Sequence, residues 1–116
     1  MTIVNLNKHA VSGLVNNEVV TFPACEQGKE CRVSVTSKEV ERVPGMKCVE
    51  TTYGEVQNVP EPQEGVVFIV NMIVLDRLPH RKDLIAPDSG PSAVRNEKGQ
   101  VLHVVQWKVN PLWGKG

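Results

Sequence analysis

Val66-Val67-Phe68-Ile69-Val70-Asn71-Met72-Ile73-Val74-Leu75-Asp76-Arg77-Leu78-Pro79-His80-Arg81-Lys82-Asp83-Leu84 is an apolar run that ends in a proline and a cluster of ionisable side chains. Its first five residues are all apolar and mostly β-branched, which predicts a buried strand. The pattern then changes. Met72, Leu75 and Pro79 fall on one side while Asp76 and Arg77 face water. Asn71 is a good helix cap and Pro79 a good stop, so the reading is a short helix over about residues 71–78. A single long strand over residues 66–75 is the rival, favoured by Ile73 and Val74, and periodicity does not separate the two. On either reading the run is the centre of the core, and the charged end is carried on the most rigid element of the chain.

Upstream, residues 3–6, 18–22 and 31–36 read as short strands, with Val15-Asn16-Asn17-Glu18 as a hairpin turn. Residues 46–53 are rich in Val and Thr and end at Tyr53-Gly54. Residues 54–65 read as an exposed proline-containing loop, either a plain connector or a lid. Downstream, Pro87-Asp88-Ser89-Gly90-Pro91 is a rigid turn. Ala93-Val94-Arg95 then leads through Asn96-Glu97-Lys98-Gly99 into a returning strand over residues 100–109. The expected fold is α+β, a single small domain spanning residues 1–116, with a mostly antiparallel sheet and one short helix.

Composition narrows the function. Thirteen basic and thirteen acidic residues balance, so no long-range field draws the chain to bulk nucleic acid or to an anionic membrane. A small anionic ligand needs only a few local cations, and neutrality is compatible with a homo-oligomer. The first nine residues lack the basic flank and apolar stretch of a secretory signal, and the central run is too short to span a bilayer, so a cytoplasmic location is expected. Cys25, Cys31 and Cys48 then read as reduced thiols. Their spacing matches no metal motif, and neither a metal nor a cofactor is expected.

Four places carry chemistry. His80-Arg81-Lys82-Asp83 sets three potential cations beside a carboxylate: Arg81 can grip a phosphate with two parallel bonds, Lys82 can act as a point charge, and Asp83 can orient a cation or accept a ribose hydroxyl. Arg95, before a turn, could be a second clamp. Asn5-Leu6-Asn7-Lys8-His9 places Asn5 and His9 on one side of an extended chain, suited to reading a base or a sugar. His103 reads as a core or interface histidine, and Trp107 and Trp113 as candidate interface anchors. Each polar group also has a plain structural reading. Support for nucleophilic catalysis is weak: Ser89 lacks the flanking glycines of a hydrolase elbow.

The segments Asn5-Leu6-Asn7-Lys8-His9, Tyr53-Gly54-Glu55-Val56, Val59-Pro60-Glu61-Pro62-Gln63-Glu64-Gly65, Pro79-His80-Arg81-Lys82-Asp83 and Val94-Arg95-Asn96-Glu97-Lys98-Gly99 together resemble a family of small phage and bacterial proteins of uncharacterised function. Asn7 and Lys8 stand where that family carries Thr and Pro. The resemblance implies no reaction, and it places Asn5, His9, Arg81, Asp83 and Arg95 at the family's polar positions. The expectation is therefore a non-enzymatic, phage-type protein that sequesters a nucleotide or a nucleotide-derived signal of host defence. Its ligand site would be Asn5, His9, His80, Arg81, Lys82, Asp83 and Arg95. The alternatives are a module that inhibits a host protein and a nucleotide hydrolase using His9 or His80 as general base.

Overall fold

The computed structural model describes residues 1–111. In it the apolar run divides as the strand-and-helix reading requires. Strand β6 (Val66–Ile69) is followed by helix α1 (Met72–Arg77). Asn71 closes the strand and caps the helix: its Oδ1 accepts from the Val74 amide at 2.9 Å, satisfying one of the donors that a helix start leaves unpaired. Leu78 ends the helix with its amide on the Leu75 carbonyl. The single long strand is thus excluded.

The run's neighbours differ from expectation. Strand β1 (Thr2–Asn5) pairs with β6 in parallel, and β6 pairs in parallel with β7 (Leu84–Pro87). Strand β10 (Trp107–Val109) adds to β7 antiparallel, giving the order β1-β6-β7-β10. The expected mostly antiparallel sheet is therefore corrected for the central sheet, where two of the three pairings are parallel. The physical reason is α1: it carries the chain back from the carboxyl end of β6 to the amino end of β7, as a crossover between parallel neighbours must. Antiparallel pairing belongs to the three hairpins, β2–β3 (Val11–Val15, Glu18–Phe22), β4–β5 (Arg32–Val40, Cys48–Gln57) and β8–β9 (Val94–Arg95, Val101–His103).

The core lies between the sheet and α1. Phe68 and Val70 from β6 and its end, Leu84 and Ala86 from β7, and Leu6 past β1 meet Val74 and Leu75 of the helix. Val33 and Val56 pack against this cluster from the base of the β4–β5 hairpin. The opposite face carries Val67 and Ile69, also buried, so β6 is covered on both sides. A strand read as wholly apolar is half-buried at Val66 and buried from Val67 on, as the parallel-sheet rule leads one to expect.

Two turns follow their sequence chemistry. Asn16 and Asn17 take φ of 52° and 64°, the left-handed pair that a two-residue hairpin needs and asparagine tolerates. The β2–β3 hairpin then reaches the last strands through Gly13, whose neighbours leave no room for a side chain: a Cβ there would sit 2.4 Å from the Trp107 ring and 2.8 Å from Val104. Two boundaries move. β5 continues through Gln57, so the proline-containing connector starts at Asn58 rather than at Gly54. The strand expected over residues 100–109 is broken into β9 and β10, and between them Val104 makes a parallel bridge to Gly13 of β2.

Candidate functional site

Because β1, β6 and β7 run in parallel, their carboxyl ends open on one side, and open α/β sheets commonly bind ligands in the crevice beyond those ends. A cleft of about 540 Å³ lies there, within the usual size range for small-molecule sites. Asn7 and His9 come from the segment after β1, Asn71 and Met72 from the turn after β6, and Pro87 and Ser89 from the end of β7. Ser12 of β2 together with Val101, Leu102 and Val104 builds the facing wall.

The polar groups of the cleft are positioned by one buried residue. Asn5 is 6 % exposed. Its amide nitrogen is within 3.0 to 3.3 Å of the carbonyls of His9, Phe22 and Pro23, and its Oδ1 accepts from the backbone amide and the Nδ2 of Asn7. Asn5 is thereby fully occupied in bending the chain between β1 and β2. The bend holds Asn7 and His9 in the cleft wall. His9 Nδ1 lies 3.3 Å from the Ala10 carbonyl, which can only accept. In the neutral ring this bond puts the proton on Nδ1 and leaves Nε2 as an acceptor. Asn71 spends its oxygen on the α1 cap, while its amide nitrogen donates to no described residue. Ser12 shares a 2.7 Å bond with Thr21.

The cleft is therefore a neutral, amide- and hydroxyl-rich floor between apolar walls. His9 is its one ionisable side chain among the described lining residues. The arrangement suits a flat polar ring that both donates and accepts.

A second groove, of about 380 Å³, adjoins the first and shares Asn7, His9 and Asn71 with it. Lys8, Arg32, Glu30, Cys31 and Ile73 complete its lining together with Val33. Burial pushes the Cys31 thiol above its ordinary pKa, so it is a poor nucleophile there.

The predicted site residues do not assemble. His80, Arg81, Lys82 and Asp83 precede β7, hence lie at the amino ends of the parallel strands, whereas Asn5 and His9 follow β1 at the carboxyl ends. Arg81 is engaged: its Nε and Nη2 meet Asp83 at 2.8 and 2.7 Å, and Nη2 also donates to the Pro60 carbonyl at 2.8 Å. The bond to Asp83 raises the Arg81 pKa further, so it stays a cation. The same contact ties the connector of residues 58–65 down, against its reading as a lid. His80 and Lys82 are exposed and line neither the cleft nor the adjoining groove. Arg95 donates to the carbonyls of Ser89 and Gly99, fastening its own hairpin to the cleft rim.

Trp107 is likewise internal to the fold. Its Nε1 donates to the Leu14 carbonyl at 3.1 Å and its ring meets Phe22 edge-on at 6.0 Å. His103 is half-buried, and Trp113 lies outside the described residues. Asn71, Ser12, Ser89, Lys8 and Arg32 also line the cleft or the adjoining groove and are not among the ligand residues expected from the sequence. The βαβ order of β6, α1 and β7, visible once the short apolar run Leu84-Ile85-Ala86 is read as a strand parallel to β6, locates Asn71 and Ser89, whereas Ser12, Lys8 and Arg32 come from β2, the segment after β1 and β4.

Among the described residues no helix is long and apolar enough to cross a membrane, and no three metal-ligating side chains cluster. No protein-family model, curated protein or solved structure matches the chain.

Proposed function

We propose that this protein binds a small nucleotide-like molecule in the cleft at the carboxyl ends of β1, β6 and β7, and that it holds the ligand without transforming it. The observation that carries this reading is the convergence of Asn7, His9, Asn71 and Ser89 from three adjacent parallel strand ends. Asn71 keeps its amide nitrogen as a donor and Asn7 its Oδ1 as an acceptor, since the other half of each side chain is bonded within the fold, and a donor beside an acceptor is what a heterocycle edge or a ribose hydroxyl pair requires. Met72, Pro87 and Leu102 supply apolar surface for the faces of a ring. Acid–base or nucleophilic chemistry generally sets two ionisable groups within reach of each other, and the described lining offers His9 alone. A phage-type sequestering protein fits this reading, and Asn5 then acts by positioning rather than by contact.

A nucleoside of about 19 non-hydrogen atoms at about 0.3 kcal/mol per atom would gain about 6 kcal/mol, a Kd of some tens of micromolar. Calorimetry of the full chain against the four common ribonucleosides tests the reading. One of them should bind in that range, and Ala10→Trp, which fills the cleft from an exposed position, should abolish the signal. No heat with any nucleoside at millimolar concentration contradicts it.

A second reading, an interaction module, is favoured by the β4–β5 hairpin. Beyond its base this two-stranded ribbon is solvated, with Val35, Val49 and Met46 each more than half exposed. The radius of gyration is 16.6 Å, where a compact chain of about 100 residues has roughly 13 Å. Isolated ribbons are marginal in water. If the interaction reading holds, Val35→Lys with Val49→Lys abolishes partner capture and leaves nucleoside binding intact.

A further inference from the structure

The cleft of the proposed function has no cation, yet the groove sharing its Asn7–His9–Asn71 ridge has two. Arg81 pairs with Asp83, Arg42 with Glu50 and Lys29 with Glu26; Lys8 and Arg32, like the other described cations, have no acidic partner among the described residues, and what sets these two apart is that they line one groove together. Arg32 uses Nε on the Gln57 side-chain oxygen at 3.1 Å, which orients the guanidinium and leaves both terminal nitrogens for another acceptor. The one carboxylate of the groove, Glu30, accepts from the Gly28 amide at 3.0 Å instead of pairing with either cation. The groove therefore holds a local excess of positive charge inside a chain of zero net charge.

We propose that this groove is an anion subsite, and that the molecule taken up is bipartite: a neutral heterocycle or sugar in the cleft and a phosphate-like group across the ridge on Lys8 and Arg32. The proposal rests on the cleft reading above and names its ligand class as a nucleoside phosphate. Arg32 offers the parallel donors that a phosphate face accepts, and Lys8 adds a mobile point charge. Asn7 and His9 lie between the two halves, so the groups flanking Lys8 in the chain touch both parts of one ligand. The bend that Asn5 enforces is what brings Lys8 and His9 to the ridge together.

Calorimetry on the full chain compares each ribonucleoside with its 5′-monophosphate, in the wild type and in the Lys8→Ala/Arg32→Ala variant. Both substituted residues are exposed, so the fold should be retained, which circular dichroism checks. The wild type should bind the preferred monophosphate at least about tenfold more tightly than the nucleoside, and added salt should narrow the gap. The variant should bind the two alike, at the affinity of the nucleoside. A gap that is absent in the wild type, or that survives in the variant, overturns the anion subsite while leaving the cleft reading standing. If neither nucleosides nor monophosphates bind, the cleft reading falls, and the groove is tested by itself with inorganic phosphate followed by amide NMR. Saturable shifts at Lys8 and Arg32 then support it, and shifts that do not saturate by tens of millimolar phosphate overturn it.

Discussion

Arg81 and Asp83, two residues apart at the amino end of β7, hold each other through two near-parallel bonds of 2.8 and 2.7 Å, with only 20 % and 14 % of their side-chain surfaces exposed. The Pro60 carbonyl takes a further bond from Arg81 Nη2, so one guanidinium joins the turn after α1 to the connector before β6. Arg81→Ala leaves a largely covered carboxylate without its partner, which should cost about 2–4 kcal/mol and lower Tm by about 10 °C. Arg81→Lys keeps the charge but loses the fork and should recover only part of that. Calorimetric unfolding measures both, and ligand affinity should not change in either.

Gly13→Ala places a methyl where the Trp107 ring and Val104 already stand, at 2.4 and 2.8 Å. Trp107 is also fixed by its bond to the Leu14 carbonyl, so it has little freedom to yield. A loss of about 1–3 kcal/mol is expected from urea unfolding. The near-ultraviolet circular dichroism of tryptophan should change with it, since the ring must shift.

Asn5 connects the fold to the cleft. Asn5→Ala strands the carbonyls of His9, Phe22 and Pro23 and the amides of Asn7, and should cost about 2–4 kcal/mol, since more than one buried group loses its partner. Asn5→Asp is worse above the carboxylate pKa, because it sets a buried anion against three carbonyl oxygens. Its stability should rise as pH falls and the carboxyl becomes a donor, the reverse of an ordinary surface aspartate. Denaturant midpoints at pH 7 and pH 4 distinguish the two variants.

Asp88 shows the ordinary sign. Bonds from the Gln106 side chain at 2.7 Å and the Gly90 amide at 3.1 Å hold its carboxyl below the usual aspartate range. A depressed folded-state pKa contributes stability that is present above the unfolded value of about 4 and is lost as pH falls through the folded value. Asp88→Ala should therefore lie below the wild type in Tm at pH 6 and converge with it near pH 2. A gap that persists into acid would assign the effect to something other than this carboxylate.

Residues 66–78 were legible because strand and helix each announce themselves locally: five apolar residues that need two covered faces, then an asparagine cap, a two-sided pattern and a proline. The Asn16–Asn17 turn was legible for the same reason, a φ requirement written in the residue type. Strand direction was not. Whether β1 and β7 flank β6 in parallel depends on non-local pairing, and β7 offers only Leu84, Ile85 and Ala86 before a proline. The candidate site suffered directly. Arg81 and Arg95 have the right chemistry for phosphate, but each is already bonded within the fold, Arg81 to Asp83 and Pro60 and Arg95 to Ser89 and Gly99, and composition does not reveal which cations are engaged in this way. His9 lines the cleft, while Asn5 next to it supports the wall from inside.

The most direct test of the account is amide NMR of the full chain titrated with ribonucleosides and their 5′-monophosphates. Saturable shifts are expected at Asn7, His9, Asn71 and Ser89, joined by Lys8 and Arg32 with the monophosphates, while residues 80–83 stay still. Shifts centred on Arg81 and Asp83, or none at any residue, would contradict it.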